Sequence, residues 1–171
     1  MEFIIVVYLT LMFIALYMFS FFILLTVKNR KKLFYYPEPN KNYSITILIP
    51  VWNEEESVGA TIEHVMALDY PKEKLEVIVI NDGSTDGTLE VLKRLKEKYS
   101  NLRIMNKKNS GKADSINKGI LFAKGELIAV ADADSFPSPS SLKKLTGYFN
   151  DSEMGAVTSF VTVRNRDRNF F

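Results

Sequence analysis

Hydrophobic residues are not spread evenly along this chain. Phe3 to Val27 contains no charged residue and is dominated by Phe, Ile, Leu, Val, Tyr and Met, over a length that spans a bilayer core as a helix. A cleaved signal peptide is the competing reading, but the run is long for an h-region, lacks a basic start and is followed by no small-residue cleavage site. Beyond Tyr43 the apolar runs become short and alternate with amphipathic stretches. Ile45 to Pro50, Leu75 to Ile80 and Leu102 to Met105 read as strands, the first of them buried on both faces. Gly125 to Ser135 reads as a central strand in which Ile128, Ala129 and Val130 bury, and Val157 to Val163 as a last, alternating strand.

Between these runs the apolar positions recur at helical spacing. Val58, Ile62, Val65 and Met66 predict a helix that starts near Glu55, with acidic residues in its first turn, where the helix dipole favours them. Leu89, Leu92, Leu95 and Tyr99 predict a second, with Asp86 as N-cap. Ala113, Ile116, Ile120 and Ala123 predict a third, closed by Gly125. Ser138-Pro139 opens a fourth that carries Leu142, Leu145 and Phe149. Repeated strand–helix alternation predicts an α/β domain on a mostly parallel sheet with right-handed crossovers.

Composition alters this picture in a few places. The net charge of the 171 residues is only +2, which argues against a nucleic-acid partner. The chain has no cysteine, which removes disulfides, thiolate zinc sites and a cysteine nucleophile. Its one histidine, His64, lies in a helical pattern away from the acidic stretches and reads as a surface or packing residue. Lys28, Arg30, Lys31 and Lys32 follow the apolar run at once, so the N-terminus is expected outside a membrane and the rest in the cytoplasm. The expected organisation is a transmembrane helix at 1–27, a basic and Pro-bearing linker at 28–43, and a folded domain at 44–171.

Ligands of such sheets bind past the carboxyl ends of the strands. Asn53-Glu54, Asp82 and Asp132-Asp134 all fall there. In an extended backbone, residues i and i+2 point the same way, so Asp132 and Asp134 can face one hard cation; an isolated Asp-x-Asp also marks a plain turn. There is no G-x-G-x-x-G after the first strand and no P-loop signature. An acidic pocket meets a diphosphate through Mg2+ or Mn2+, which take oxygen ligands. Asp82 can accept hydrogen bonds from a base or from ribose hydroxyls. Lys112, behind a glycine at a helix start, adds positive charge near phosphate or is a solvated surface residue.

Four motifs in this order resemble the family 2 glycosyltransferases. They are Pro50-Val51-Trp52-Asn53-Glu54, Asn81 through Thr88, Asn109 through Gly119, and Asp132-Ala133-Asp134. The resemblance implies a GT-A fold from about Ser44 to Phe171, a UDP-sugar donor and a divalent metal. It assigns Pro50, Asn53, Glu54, Asp82, Lys112, Asp132 and Asp134 to the donor site. In that assignment Asp82 holds uracil or ribose, Asp132 lies by the ribose and diphosphate, and Asp134 ligates the metal. Asn81 stands where the family more often has Asp.

The apolar N-terminal helix and the closing stretch resemble the membrane-embedded synthases of hyaluronan, chitin, cellulose or poly-N-acetylglucosamine. Those enzymes invert the anomeric centre and act on a glycan or lipid-linked acceptor. The family's general base and its Q-x-x-R-W motif are expected beyond Phe171, since Asp151, Glu153 and Asp167 are poor candidates for the base. Two other readings are a nucleotide-sugar-binding module without catalysis, and a phosphotransferase or phosphatase with an Asp nucleophile, which leaves the Asn-Glu and Asp-Gly-Ser elements without a role.

Overall fold

A computed structural model describes residues 1–31 and 35–162. Lys32 of the basic cluster, Val163, and the group Arg164, Arg166, Asp167 and Arg168 lie outside the described residues. Residues 1–36 and 37–171 form separate units. The first holds helix α1 (Glu2–Asn29), 28 residues long, with an 18-residue stretch of mean hydropathy 2.4 and no buried side chain. At 1.5 Å per residue it is roughly 42 Å long, so it is long and apolar enough to cross a membrane. The Thr10 and Thr26 hydroxyls donate back to the carbonyls of Val6 and Phe22, at 2.8 and 2.9 Å, which satisfies them within the helix.

The second unit is a parallel sheet with helices on both faces. Strands β1 (Ile45–Val51), β2 (Leu75–Asn81), β3 (Leu102–Asn106) and β4 (Leu127–Val130) lie in the order β3-β2-β1-β4, all parallel. Helices α2 (Val58–Met66), α3 (Thr88–Lys98), α4 (Lys112–Phe122) and α5 (Ser141–Thr146) fill the connections. Ile45, Ile47, Ile49 and Val51 of β1 and Val77 and Val79 of β2 face one core with Val58, Ile62, Val65, Leu92 and Leu142. Leu48, Ile78 and Ile80 face a smaller core with Met105 and Ile116. Every residue of β1 is buried, as its short apolar run, broken only by Thr46, predicts.

Several expectations are corrected. The strand that ends in the acidic pair is not central: among the described residues β4 pairs only with β1. Ile128 and Val130 are consequently exposed, at 44% and 49%. Their register partners are Thr46 and Leu48, so they lie on the α4 face, and α4 packs chiefly over β1 and β2. The Ala113, Ile116, Ile120, Ala123 stripe is not the buried ridge of α4; Ser115 and Gly119 are. A Cβ on Gly119 would sit 3.1 Å from methyls of Leu48 and Ile80, so the helix approaches the sheet closely enough to leave room for small residues only.

Helix α2 begins at Val58, after a turn in which the Glu54 carbonyl accepts the N–H groups of Ser57 and Val58. The three glutamates therefore precede the helix. Gly87, not Asp86, immediately precedes α3, although the Asp86 carboxylate still accepts the Thr88 N–H at 3.1 Å. Helix α4 ends at Phe122, ahead of Gly125. Gly125 serves a close approach instead, because a Cβ there would lie 2.5 Å from the Thr46 nitrogen. Ser138-Pro139 forms a turn before α5, and the Pro139 carbonyl accepts the Asp69 N–H at 2.9 Å. Phe149 falls in a short 3-10 turn after α5. Residues 157–162 form no strand; alternation produces one only where a neighbouring edge supplies hydrogen bonds.

Candidate functional site

The carboxyl ends of β1, β2 and β4 open into a cavity of about 680 Å³. Pro50, Glu54, Asp82, Lys112, Asp132 and Asp134 line it, six of the seven residues expected at the site. Asn53, the seventh, is not among its walls. It sits in the left-handed region at φ 54°, and its Oδ1 accepts the Thr85 N–H at 2.8 Å. Asn suits both requirements, since it tolerates positive φ and hydrogen-bonds locally. Around it the β1–α2 and β2–α3 loops are laced together. The Asn53 N–H donates to Ser84 Oγ at 3.0 Å, the Glu54 N–H to Thr88 Oγ1 at 2.9 Å, and the Gly87 N–H to Glu55 Oε2 at 2.6 Å. Asn53 thus builds the rim on which Trp52 and Glu54 stand.

Asp82 is buried and already engaged. Its Oδ1 accepts the Lys107 ammonium and the Ser110 N–H, the latter at 2.9 Å, and its Oδ2 accepts the Gly111 N–H at 2.8 Å. Burial alone would raise its pKa. The hydrogen bond from Lys107, then those from Ser110 and Gly111, outweigh it and hold the carboxyl below the usual range. Lys107 also meets Asp114 at 3.1 Å. Burial would lower the lysine, and its bonds to Asp82 and Asp114 raise it instead. Asp114 is held well below the usual carboxylate range, first by the Ser110 hydroxyl and then by Lys118 and Lys107. This cluster pins residues 107–111 against the end of β2 and sets Gly111 and Lys112 on the cavity wall. An ionised carboxylate offers about four acceptor sites. Asp82 therefore retains room for one further donor, on Oδ2.

Asp132 and Asp134 do not sit on the strand as the i, i+2 argument assumes. Strand β4 ends at Val130, and the Asp132 carbonyl accepts the Ser135 N–H at 3.1 Å, closing a turn over the pair. Both nevertheless line the one cavity. Asp132 Oδ1 is 2.5 Å from Lys112 Nζ, with both side chains more than half exposed, so the pair is weak and can re-form with an entering phosphate. Among the described residues no three acidic or histidine side chains converge as a self-sufficient metal cage. Two carboxylates on an open wall suit a hard cation that completes its shell with phosphate oxygens and water.

Three comparisons bear on this geometry. The model of glycosyl transferase family 2 matches residues 46–171. The chain belongs to the family 2 glycosyltransferases. Among curated relatives of the family it is 35% identical over 126 residues to the probable glycosyltransferase YdaM of Bacillus subtilis, covering 71% of this chain and 30% of that protein. It is 35% identical over 123 residues to the poly-beta-1,6-N-acetyl-D-glucosamine synthase of Staphylococcus aureus, covering 71% and 29%. The chain thus spans about 30% of the length of the curated relatives it matches. Among solved structures, the mannosyltransferase PcManGT of Pyrobaculum calidifontis, in complex with GDP-Man and Mn2+, superposes with a TM-score of 0.64 at 27% identity, over 75% of this chain and 40% of that one. S. aureus TarS 1-349 in complex with UDP-GlcNAc superposes with a TM-score of 0.58 at 27% identity, over 63% and 31%. The parallel α/β unit is therefore a GT-A fold of the family.

Some walls of this cavity have no role assigned from the sequence. Trp52 presents a ring that is 55% exposed on the lip of the cavity, and Asn109 and Ser115 complete the side formed by residues 109–115. The signal for Trp52 is its type and place, since a large aromatic directly after a buried strand is left with one face uncovered.

Proposed function

We propose that this chain supplies the donor-binding part of a family 2 glycosyltransferase that moves a sugar from a UDP-sugar to a glycan or lipid-linked acceptor with inversion, at the cytoplasmic face of a membrane. The observation that carries this reading is the meeting of Trp52, Asp82, Lys112, Asp132 and Asp134 on one cavity past the strand ends. The exposed Trp52 ring is a flat apolar platform for a nucleobase. Asp82 Oδ2 accepts one N–H or O–H of the nucleoside. Lys112 exchanges Asp132 for a phosphate oxygen. Asp132 and Asp134 would hold Mg2+ or Mn2+, which supplies neutralisation of charge on a departing diphosphate. The Mn2+ in the PcManGT complex and the UDP-GlcNAc in the TarS complex support the choice of cofactor and donor. The apolar α1, with Lys28, Arg30 and Lys31 at and beyond its end, supports anchoring in a bilayer with the sheet on the cytoplasmic side.

Calorimetric titration of UDP and of GDP into the detergent-solubilised chain, with and without Mn2+, tests the reading. Tighter binding of UDP than of GDP, strengthened by Mn2+ and lost in Asp134→Ala at an unchanged melting temperature, is expected. Equal binding with and without Mn2+, or retention of the Mn2+ effect in Asp134→Ala, overturns the metal assignment. Preference for GDP overturns the choice of donor.

A further inference from the structure

The orientation of two carboxylates separated by one residue depends on the two peptide planes between them. The first plane carries the Asp132 carbonyl and the second the Ala133 carbonyl. The turn itself holds the first, since the Asp132 carbonyl accepts the Ser135 N–H at 3.1 Å and the Ser135 hydroxyl at 2.8 Å. The second is held from far along the chain. Thr61 Oγ1, on α2, donates to the Ala133 carbonyl at 2.7 Å. Thr61 is fully buried and Ala133 is 7% exposed.

This is not the ordinary use of a helical threonine. Such hydroxyls usually bond the carbonyl one turn back in their own helix. Here the Ser57 carbonyl receives the Thr61 N–H at 3.1 Å, while the hydroxyl crosses to the acidic turn. A fully buried hydroxyl needs a partner, and Ala133 is the one it has taken. Further contacts run the same way. The His64 ring packs edge-on against Phe136 at 5.0 Å, and the Asp69 N–H donates to the Pro139 carbonyl at 2.9 Å. Helix α2 and the turn that follows it therefore brace the chain just beyond β4, and Thr61 is the contact that falls between the two aspartates.

We propose that Thr61 is a positioning residue for the acidic pair: by holding the Ala133 carbonyl it sets the mutual orientation in which Asp132 and Asp134 meet a divalent cation with its diphosphate. The inference rests on the metal-binding reading of those two residues. Outer-shell partners of this kind typically contribute roughly 10- to 100-fold in metal affinity.

The test uses the full chain in detergent and reads UDP affinity with and without Mn2+, together with the melting temperature. Thr61→Val keeps the shape and removes the hydroxyl. It is expected to lose roughly 10- to 100-fold of the Mn2+-dependent gain while UDP affinity without metal is unchanged. Thr61→Ser, which restores the hydroxyl, is expected to recover the gain. Ile62→Val, whose side chain is fully buried in the core beside it, lowers the melting temperature and leaves the Mn2+ effect intact.

A wild-type Mn2+ effect in Thr61→Val, an equal loss of metal-free and metal-dependent binding, or no rescue by serine overturns the proposal. Should the valine variant fail to fold, Thr61→Ala, which removes the same hydroxyl without setting a methyl group against the Ala133 carbonyl, is read in its place, and an unchanged Mn2+ effect there overturns it equally. Absence of any Mn2+ effect in the wild type is a separate result, which refutes the metal reading itself.

Discussion

Replacing Asp82 by Asn keeps the side chain's shape and removes its charge where the charge is most enclosed. The Asp82 and Lys107 side chains are 5% and 8% exposed. The carboxylate accepts the Lys107 ammonium and the N–H groups of Ser110 and Gly111. Asparagine offers one oxygen, so its NH2 group is turned towards a donor, and a buried ammonium loses its closest counter-charge. Breaking one side of a buried ion pair costs about 3–5 kcal/mol. Asp114 still stands 3.1 Å from Lys107, which places the expected loss at the lower end, about 3 kcal/mol, or a fall of roughly 10 °C in melting temperature.

The pH dependence has a definite sign. The folded pKa of Asp82 is depressed, so its stabilisation is complete above the unfolded carboxyl value of about 3.9 and is lost as pH falls through the lower folded value. The gap between wild type and Asp82→Asn should therefore narrow below about pH 4. Urea titration followed by the fluorescence of Trp52, the one tryptophan, measures both effects. A variant within about 1 kcal/mol of the wild type at neutral pH, or a gap that stays constant into acid, would refute the argument that this pair holds the loop.

Trp52→Ala should weaken UDP binding by about 1–3 kcal/mol, the value of a base on an aromatic platform, with little change in melting temperature because the ring is 55% exposed; unaltered affinity would remove Trp52 from the donor site. Gly125→Ala places a Cβ 2.5 Å from the backbone nitrogen of Thr46, and the forced shift of β4 should cost about 1–3 kcal/mol, read as a lower urea midpoint. Glu126 is held at about 2, first by Lys41 and then by the Ser44 N–H. Its contribution is present above the ordinary glutamate range and fades as pH falls towards that value; NMR titration of its carboxyl checks this, and in Lys41→Ala the midpoint should move up.

The elements were legible wherever local pattern decides them. A run such as Ile45 to Pro50, apolar but for Thr46, is expected to be buried on both faces, and β1 is. The stripe Val58, Ile62, Val65 is buried because nothing competes for that side of α2. Legibility failed where a neighbour decided. Ile128 and Val130 are as apolar as β1 and equally strand-like, yet they are exposed, because burial on the α4 face depends on how far α4 reaches across the sheet. In α4 the apolar stripe lost to Ser115 and Gly119, since closeness to Leu48 and Ile80 favoured small residues. The site followed the same division. Pro50, Glu54, Asp82, Lys112, Asp132 and Asp134 meet at one cavity as strand-end placement implies, because parallel strands bring all their carboxyl ends to one edge.

What the amino-acid order determined by itself was the apolar helix, the alternation of the first four strands with their helices, the family, and which residues reach the strand ends; each depends on neighbours within a few positions or on direction along a strand. What only the tertiary structure decided was how those residues are occupied. Asp82 is bound to Lys107, Asn53 ties down Thr85 in place of facing the cavity, and Thr61 holds the Ala133 carbonyl. These partners lie far apart in the chain, and a hydrogen bond is directional and short. Residue spacing therefore contains no trace of them until the sheet has brought β1, β2 and β4 side by side.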